Sequence, residues 1–353
     1  MTTGAALKDA LLVLSEGKDL AEEQAAAAMR ALIDADFTPA QFGAFAVALR
    51  LKGESATEIG GFLRVLRAEA LEVDLGELRH RAVDMCGTGG DGPSARVFNI
   101  STTAAFVVAG AGVPVAKHGT NAVSSQSGST DVLTALGVRP STEAGDVRAC
   151  LEEIGVSFMH APAFNTGMRH LIGLRREIGL RFVFNLLGPL CNPARIERHV
   201  TGIYDRRYLP VVADALAAAG TRRAWVVHAE DGLDEVSTTA VTHVAEVRDG
   251  SVREFEIDAR GLGLARATLG DLTGGDATFN AAITRSVLTG TSTRPQREIV
   301  LLNAAATLLV ADRVGSLEAG LVLAEESLSS GGGADVLARW EARSARPMER
   351  AGR

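Results

Sequence analysis

The sequence has little cysteine, no excess of positive charge and no long apolar run. Three cysteines in 353 residues, Cys86, Cys150 and Cys191, are too few and too scattered for a disulfide framework or a zinc site, which favours a reducing compartment. Lys plus Arg number 36 against 43 Asp plus Glu, a formal net charge of −7. That balance argues against a general binder of nucleic acid, though not against a local basic pocket. The N-terminus has no basic leader and reaches Lys8 and Asp9 before any apolar run. The apolar stretch from Ala104 to Ala116 contains Pro114 and falls short of the roughly 20 residues that a membrane span requires. A cytoplasmic protein with no membrane or nucleic-acid partner is therefore expected. No Gly-x-Ser-x-Gly elbow, Walker loop or His-Glu-x-x-His motif occurs, and there is no internal repeat or low-complexity linker.

What is present is ordinary globular composition, 46% hydrophobic and 22% charged, at a length that suits two domains. The first part of the chain reads as helices. Asp19 with Glu22, Thr38 with Gln41 and Ser55 with Glu58 each pair a capping side chain with a partner three residues on. Pro39 sits where a first helical residue needs no N–H. Behind these caps, apolar residues recur at spacings of three and four, such as Phe42, Phe45, Ala46 and Leu49. After residue 80 short β-branched runs alternate with Gly-rich turns and helical stretches: RAVDMC, GVPVAKHG, VSFMHAP, HVTGIYD and AWVVHAEDG. This predicts an α/β fold, a small helical N-terminal domain plus a larger domain with a mainly parallel central sheet. Residues 163–194 look helical and basic and could return to the helical unit.

Four motifs carry chemistry. Gly87-Thr88-Gly89-Gly90-Asp91-Gly92 follows a strand, and its glycines let backbone N–H groups approach a phosphate. It matches a dinucleotide fingerprint in spacing, but the acidic residue that fingerprint requires about 20 positions on is missing; Lys117 stands in that neighbourhood. Asn99-Ile100-Ser101-Thr102-Thr103 opens an apolar helix, either as a plain cap or as a phosphate site at a helix N-terminus. Lys117-His118-Gly119 ends a strand and precedes the Ser/Gly-rich stretch from Ser124 to Asp131, including Ser129, which is a second anion cradle or a solvated loop. Gly232-Leu233-Asp234-Glu235 ends another strand; its two carboxylates suit a hard cation or form only a turn. The histidines show no metal spacing, and His228, on an apolar strand, reads as a core residue. Three phosphate loops plus an acidic pair suit a ribose carrying a monophosphate and a diphosphate with Mg²⁺.

With those residues in view, the sequence resembles the anthranilate phosphoribosyltransferase family, from about residue 5 to about residue 340. The matching blocks are GTGGDG, FNIST, VAKHG, AVSSxSGS, FVFNLLGPLCNPA and VVHAEDGLDEVSTT. Pyrimidine nucleoside phosphorylases share the fold but lack FNLLGP and GLDE. The resemblance implies a helical domain over 1–75, completed by helices near 165–185, an α/β domain over 76–164 and 186–345, and a homodimer formed through the helical domains. It implies transfer of 5-phosphoribosyl from phosphoribosyl diphosphate (PRPP) to the amine of anthranilate in tryptophan biosynthesis. Gly87, Gly89, Gly90, Asp91, Asn99, Ser101, Thr102, Lys117 and Ser129 would hold PRPP. Ser101, Asp234 and Glu235 would hold Mg²⁺, and His118, Thr120, Asn165, Arg175 and Pro189 would line the acceptor pocket. No acid or base is assigned.

The chain departs from the family pattern on the acceptor side. Thr120 stands where the family usually has Asn, Phe164 and Asn165 where it has a His pair, and Gln126 where it has Lys. The expectation is a phosphoribosyltransferase with altered acceptor selectivity. The alternatives are a homologue acting on another aromatic or heteroaromatic acid and a non-catalytic PRPP sensor.

Overall fold

A computed structural model describes residues 4–89, 96–121 and 126–346. The chain opens with α1 (Ala5–Ser15), α2 (Glu22–Ile33), α3 (Pro39–Lys52) and α4 (Ala56–Glu69). Thr38 Oγ1 accepts the Gln41 N–H at 3.2 Å while Gln41 Oε1 accepts the Thr38 N–H at 2.8 Å, which starts α3 where its cap predicts. Ser55 and Glu58 make the same exchange at α4. The cap expected at Asp19 does not form. Leu20 is drawn into the core and its N–H goes to the buried Glu58 at 2.9 Å, so the chain is still extended at Asp19. That carboxylate pairs with Lys52 instead, at 2.5 Å, and α2 starts at Glu22.

The rest of the chain alternates strands and helices: β1 (Asp84–Gly87), α5 (Ile100–Gly110), β2 (Val115–Gly119), α6 (Ser129–Ala135), α7 (Ala144–Ile154), β3 (Val156–His160), α8 (Ala161–Phe164), α9 (Leu171–Ile178), α10 (Val183–Leu190), β4 (Arg198–Gly202), α11 (Leu209–Ala218), β5 (Arg223–Ala229), β6 (Thr242–Arg248), β7 (Ser251–Ile257), α12 (Ala277–Leu288), α13 (Arg294–Val310), α14 (Leu317–Ser329) and α15 (Gly332–Ala345). The main sheet runs β1-β4-β5-β6-β7. β1, β4 and β5 are parallel, whereas β6 and β7 each run antiparallel to their neighbour. The sheet is thus mixed, with its parallel part at the β1 end. Asp249 and Gly250, both at positive φ (47° and 81°), form the two-residue turn whose twist closes a hairpin between β6 and β7. β2 and β3 make a separate parallel pair, joined to β1 by the single bridge Val83–Val115.

β5 is buried on both faces, as a central strand between helical layers should be. Ala224 and Val226 face a core shared with α1–α4, α10 and α11; Trp225 and Val227 face a second core built on α5 and α13. Leu171, Phe182 and Phe184, from the region around α9 and α10, lie in the same core as Phe42 and Phe45, with the Phe42 and Phe182 rings edge-on at 6.1 Å. This packing carries α9 and α10 back to the N-terminal helices and sets α10 beside the C-terminal ends of β1 and β2. No helix among the described residues is long and apolar enough to cross a membrane.

Candidate active site

The C-terminal ends of β1, β2, β4 and β5 converge, and ligands of open α/β sheets sit at that edge. The turn after β5 folds back over β1 and β4. Asp234 lies so close to both strands that side chains there are forbidden: a Cβ at Gly87 would stand 2.1 Å from Asp234 Oδ2, and one at Gly202 would stand 1.7 Å from the Asp234 carbonyl oxygen. Asp234 Oδ2 accepts the Gly89 N–H at 2.9 Å, and the Gly202 carbonyl accepts the Thr88 N–H at 2.9 Å. Its neighbour Glu235 accepts the Ser101 N–H, at the start of α5, at 3.1 Å, a favourable place for a carboxylate near a helix N-terminus. Burial first, and the Asp234 charge second, push the Glu235 carboxyl up to about 8; Lys117 and Ser101 oppose the shift. Lys117, buried in β2, donates to Ser101 Oγ at 3.2 Å and to the Met85 carbonyl. Among the described residues, Thr88 Oγ1 and Thr102 Oγ1 are buried without a hydrogen-bond partner.

Asn99 is the residue before α5, yet its side chain makes no cap bond. It donates to the Ser127 carbonyl at 3.3 Å and accepts from Asn280 Nδ2 at 2.9 Å, which ties the loop before α6 to α12. Ser129 is the first residue of α6. A Cβ at Gly119 would be 2.8 Å from the Phe158 ring, so the glycine leaves room for that ring at the end of β2. Gly90, Asp91, Gly92, Ser124 and Ser125 lie outside the described residues.

The other side of β2 carries His118. Asn165 Nδ2 donates to His118 Nε2 at 3.0 Å, and the ring also bonds the Gly188 backbone in α10. That pair of partners puts the ring proton on Nδ1. Burial lowers the His118 pKa to about 4, so the ring is neutral at pH 7. Pro189, buried within α10, presents its carbonyl 3.8 Å from Cys86 Sγ. Arg175 lies on α9, and its side chain has no hydrogen bond or ion pair among the described residues; burial lowers its pKa. Thr120 accepts the Thr130 N–H through its carbonyl at 3.4 Å, and no hydrogen bond ties its side chain among the described residues.

The described contacts fall into two groups, a polar cluster of Gly89, Ser101, Lys117, Asp234 and Glu235 on one face of β2 and the His118–Asn165 pair on the other. Asp234, Glu235 and the Ser101 hydroxyl offer hard oxygen donors that suit Mg²⁺. Among the described residues no group of three or more His, Cys, Asp or Glu side chains could hold a metal. A metal here would complete its shell with phosphate oxygens and water, as Mg²⁺ commonly does.

The chain matches the glycosyl transferase family, a/b domain, over residues 79–334 and the glycosyl transferase family, helical bundle domain, over residues 8–70. It is 49% identical to the anthranilate phosphoribosyltransferase of Symbiobacterium thermophilum over 94% of this chain and 96% of that protein. The chain belongs to the anthranilate phosphoribosyltransferase family. Its fold is similar to that of the family's enzyme from Thermus thermophilus, with a TM-score of 0.86 and 38% identity over 97% of this chain and 99% of the other. The Saccharomyces cerevisiae enzyme, solved in complex with PRPP and Mg, also gives a TM-score of 0.86, at 26% identity and with 98% and 99% of the two chains covered.

Within this anthranilate phosphoribosyltransferase family member, one acceptor-side expectation needs correction. Phe164 does not face a pocket. It is fully buried among Val73, Leu75, Met159 and Ile196, because α8 turns it down against the sheet. The expected altered pocket thus loses its aromatic wall. Sequence reasoning also overlooked Asp84, Asn192, Gly202 and Asn280. Asn192 stands inside the FNLLGPLCNPA block and Gly202 at a strand end, signals that could have found both; Asn280, in the first turn of α12, carries none.

Proposed function

We propose that this chain transfers 5-phosphoribosyl from PRPP to the amine of anthranilate, releasing diphosphate, as a cytoplasmic enzyme of tryptophan biosynthesis. The observation that carries this reading is the acidic pair Asp234–Glu235, packed over two obligatory glycines and against the N-terminus of α5 and Lys117. Gly87, Gly89, Gly90, Asp91, Asn99, Ser101, Thr102, Lys117 and Ser129 hold PRPP in this reading, and Ser101, Asp234 and Glu235 hold Mg²⁺. Bound there, the metal neutralises charge growing on the leaving diphosphate.

The C–N bond forms between the anthranilate amine and the anomeric carbon as that carbon's bond to the diphosphate oxygen breaks; the amine then loses a proton to solvent. An aromatic amine is neutral at pH 7, so no strong base is needed. His118 contributes as a neutral, fixed ring, not as a base. The residues' main task is positioning, which can supply roughly 7–11 kcal/mol. Lys117 sets the donor, and Arg175 receives the acceptor carboxylate through two parallel hydrogen bonds. Thr120, Asn165 and Pro189 complete the acceptor pocket. An unpaired, half-buried guanidinium favours a carboxylate acceptor over a sensor that binds PRPP alone. The helical domain over 1–75, with helices near 165–185, is the proposed homodimer contact, and 76–164 with 186–345 form the PRPP-binding domain.

Diphosphate release tests the reading. Release is expected only with PRPP and anthranilate together, and it should collapse when Mg²⁺ is chelated. Release indifferent to Mg²⁺, or none with anthranilate, would overturn it.

A further inference from the structure

β1 and β2 begin as an ordinary parallel pair. The Val83 N–H donates to the Pro114 carbonyl and the Val83 carbonyl accepts the Ala116 N–H, both at 3.0 Å. A parallel ladder would continue two residues on, with the Met85 N–H on the Ala116 carbonyl and the His118 N–H on the Met85 carbonyl. Neither bond is made. The His118 N–H goes to Asp84 Oδ1 at 3.2 Å, and the Met85 N–H turns to the same carboxylate. The Met85 carbonyl takes the Lys117 ammonium. The Ala116 carbonyl takes Asn192 Nδ2 at 3.0 Å, while that same nitrogen donates to Asp84 Oδ2 at 2.7 Å. Asn192 Oδ1 accepts the Ala194 N–H at 2.9 Å. Asp84 is 0% exposed and Asn192 3%.

Each backbone group freed by the broken ladder is thus satisfied by a side chain. A buried group left unpaired would be costly, so the strands can part here only because Asp84, Lys117 and Asn192 stand in for the missing ladder. Beyond the split, alternate residues of β2 point to opposite faces: Lys117 reaches Ser101 on one, and His118 reaches Gly188 and Asn165 on the other.

We propose that Asp84 and Asn192 are positioning residues, a buried polar wedge that holds β2 away from β1 and so sets Lys117 toward the donor and His118 toward the acceptor. The assignment of the two sides rests on the proposed function; the wedge itself does not. Neither residue touches a substrate. Each acts through the backbone of the strands that carry Lys117 and His118.

Asp84→Asn and Asn192→Ser test this. Asp84→Asn keeps the shape but sets two amide donors against each other where the carboxylate met Asn192; Asn192→Ser keeps the carboxylate and removes the amide that spans to Ala116. Wild-type turnover is measured first, and its absence would refute the proposed function alone. In the variants three readouts are followed: KM for each substrate, kcat, and the ¹⁵N signals of the His118 ring. Both variants are expected to raise KM for both substrates together, to lower kcat/KM at least 100-fold, and to replace the single Nδ1–H tautomer by a mixture. The ring signals report on the wedge even if no turnover is found. A merely structural role would lower the melting temperature yet leave KM and the ring signals of the folded protein as in the wild type, and that result would overturn the proposal. If Asp84→Asn does not fold, Asn192→Ser, the milder change, decides by the same readouts.

Discussion

The donor and acceptor halves of the site are built differently. On the donor side the packing is close: the Asp234 carbonyl rests on Gly202 and its carboxylate on Gly87, with no space for a Cβ at either, and Gly89, Ser101, Lys117, Asp234 and Glu235 take part in direct hydrogen bonds. On the acceptor side, one hydrogen bond joins Asn165 to His118, and Arg175 has no partner among the described residues. A turn packed this closely on strand backbone tolerates little change, because it cannot shift without moving β1 and β4. A site made of loosely tied side chains can be altered without disturbing the fold. Of the departures from the family pattern, Phe164 and Asn165 lie away from the cradle, whereas Gln126 stands next to Ser127, whose carbonyl Asn99 holds.

That contrast can be broken in graded ways. The largest effect is expected from Asp234→Asn combined with Glu235→Gln. The fold should survive, since both changes nearly conserve volume, while kcat/KM for diphosphate release should fall by about two to three orders of magnitude. Near-normal turnover would reduce the acidic pair to a turn. Arg175→Ala comes next. Loss of a charge-paired carboxylate contact should cost about 2–5 kcal/mol, read as a raised KM for anthranilate with PRPP affinity unchanged in calorimetry. Weakened PRPP affinity would place Arg175 in the wrong half.

A pH effect comes from two buried histidines. His118 and His199, the latter buried in β4 with its ring on the Ile196 carbonyl at 2.6 Å, both have pKa values lowered to about 4, chiefly by burial. An unfolded histidine titrates near ~6.5. Between the two values the unfolded chain binds more protons than the folded one, so stability is lost as pH falls from 6.5 towards 4. Urea melts at pH 7, 5.5 and 4.5 should show midpoints dropping through that window, and removing one histidine by His199→Gln should flatten the drop. The smallest effect is expected from Thr120→Asn. One neutral hydrogen bond is worth about 0.5–1.5 kcal/mol, so anthranilate KM should shift by no more than roughly tenfold; a larger shift would make Thr120 a determinant of selectivity.

Much of this was legible in the sequence, for local reasons. Thr38–Gln41 and Ser55–Glu58 are short-range signals, and both caps form. Gly87, Lys117 and the Asp234–Glu235 pair stand out because glycines and charges at strand ends are unusual. What escaped depends on partners far along the chain. Asp19 looked like a cap until Leu20 was claimed by Glu58, 38 residues on. Asp84 and Asn192 meet across 108 residues. Asn280 reaches Asn99 across 181. Phe164 read as a pocket residue because nothing local shows that α8 turns it inward. The β6–β7 hairpin is a different matter: Asp249-Gly250 is a strong local turn signal and was simply passed over.

Close backbone approach at Gly202 sets the position of the turn that presents Asp234 and Glu235. Gly202→Ala tests it with a single methyl group on a residue to which no chemistry is assigned. The added Cβ would stand 1.7 Å from the Asp234 carbonyl oxygen, so the turn carrying Asp234 and Glu235 must move. Calorimetric titration of this variant with PRPP in the presence of Mg²⁺ should show no binding at concentrations that saturate the wild type, with a cooperative thermal transition retained. PRPP binding as tight as in the wild type would contradict the account.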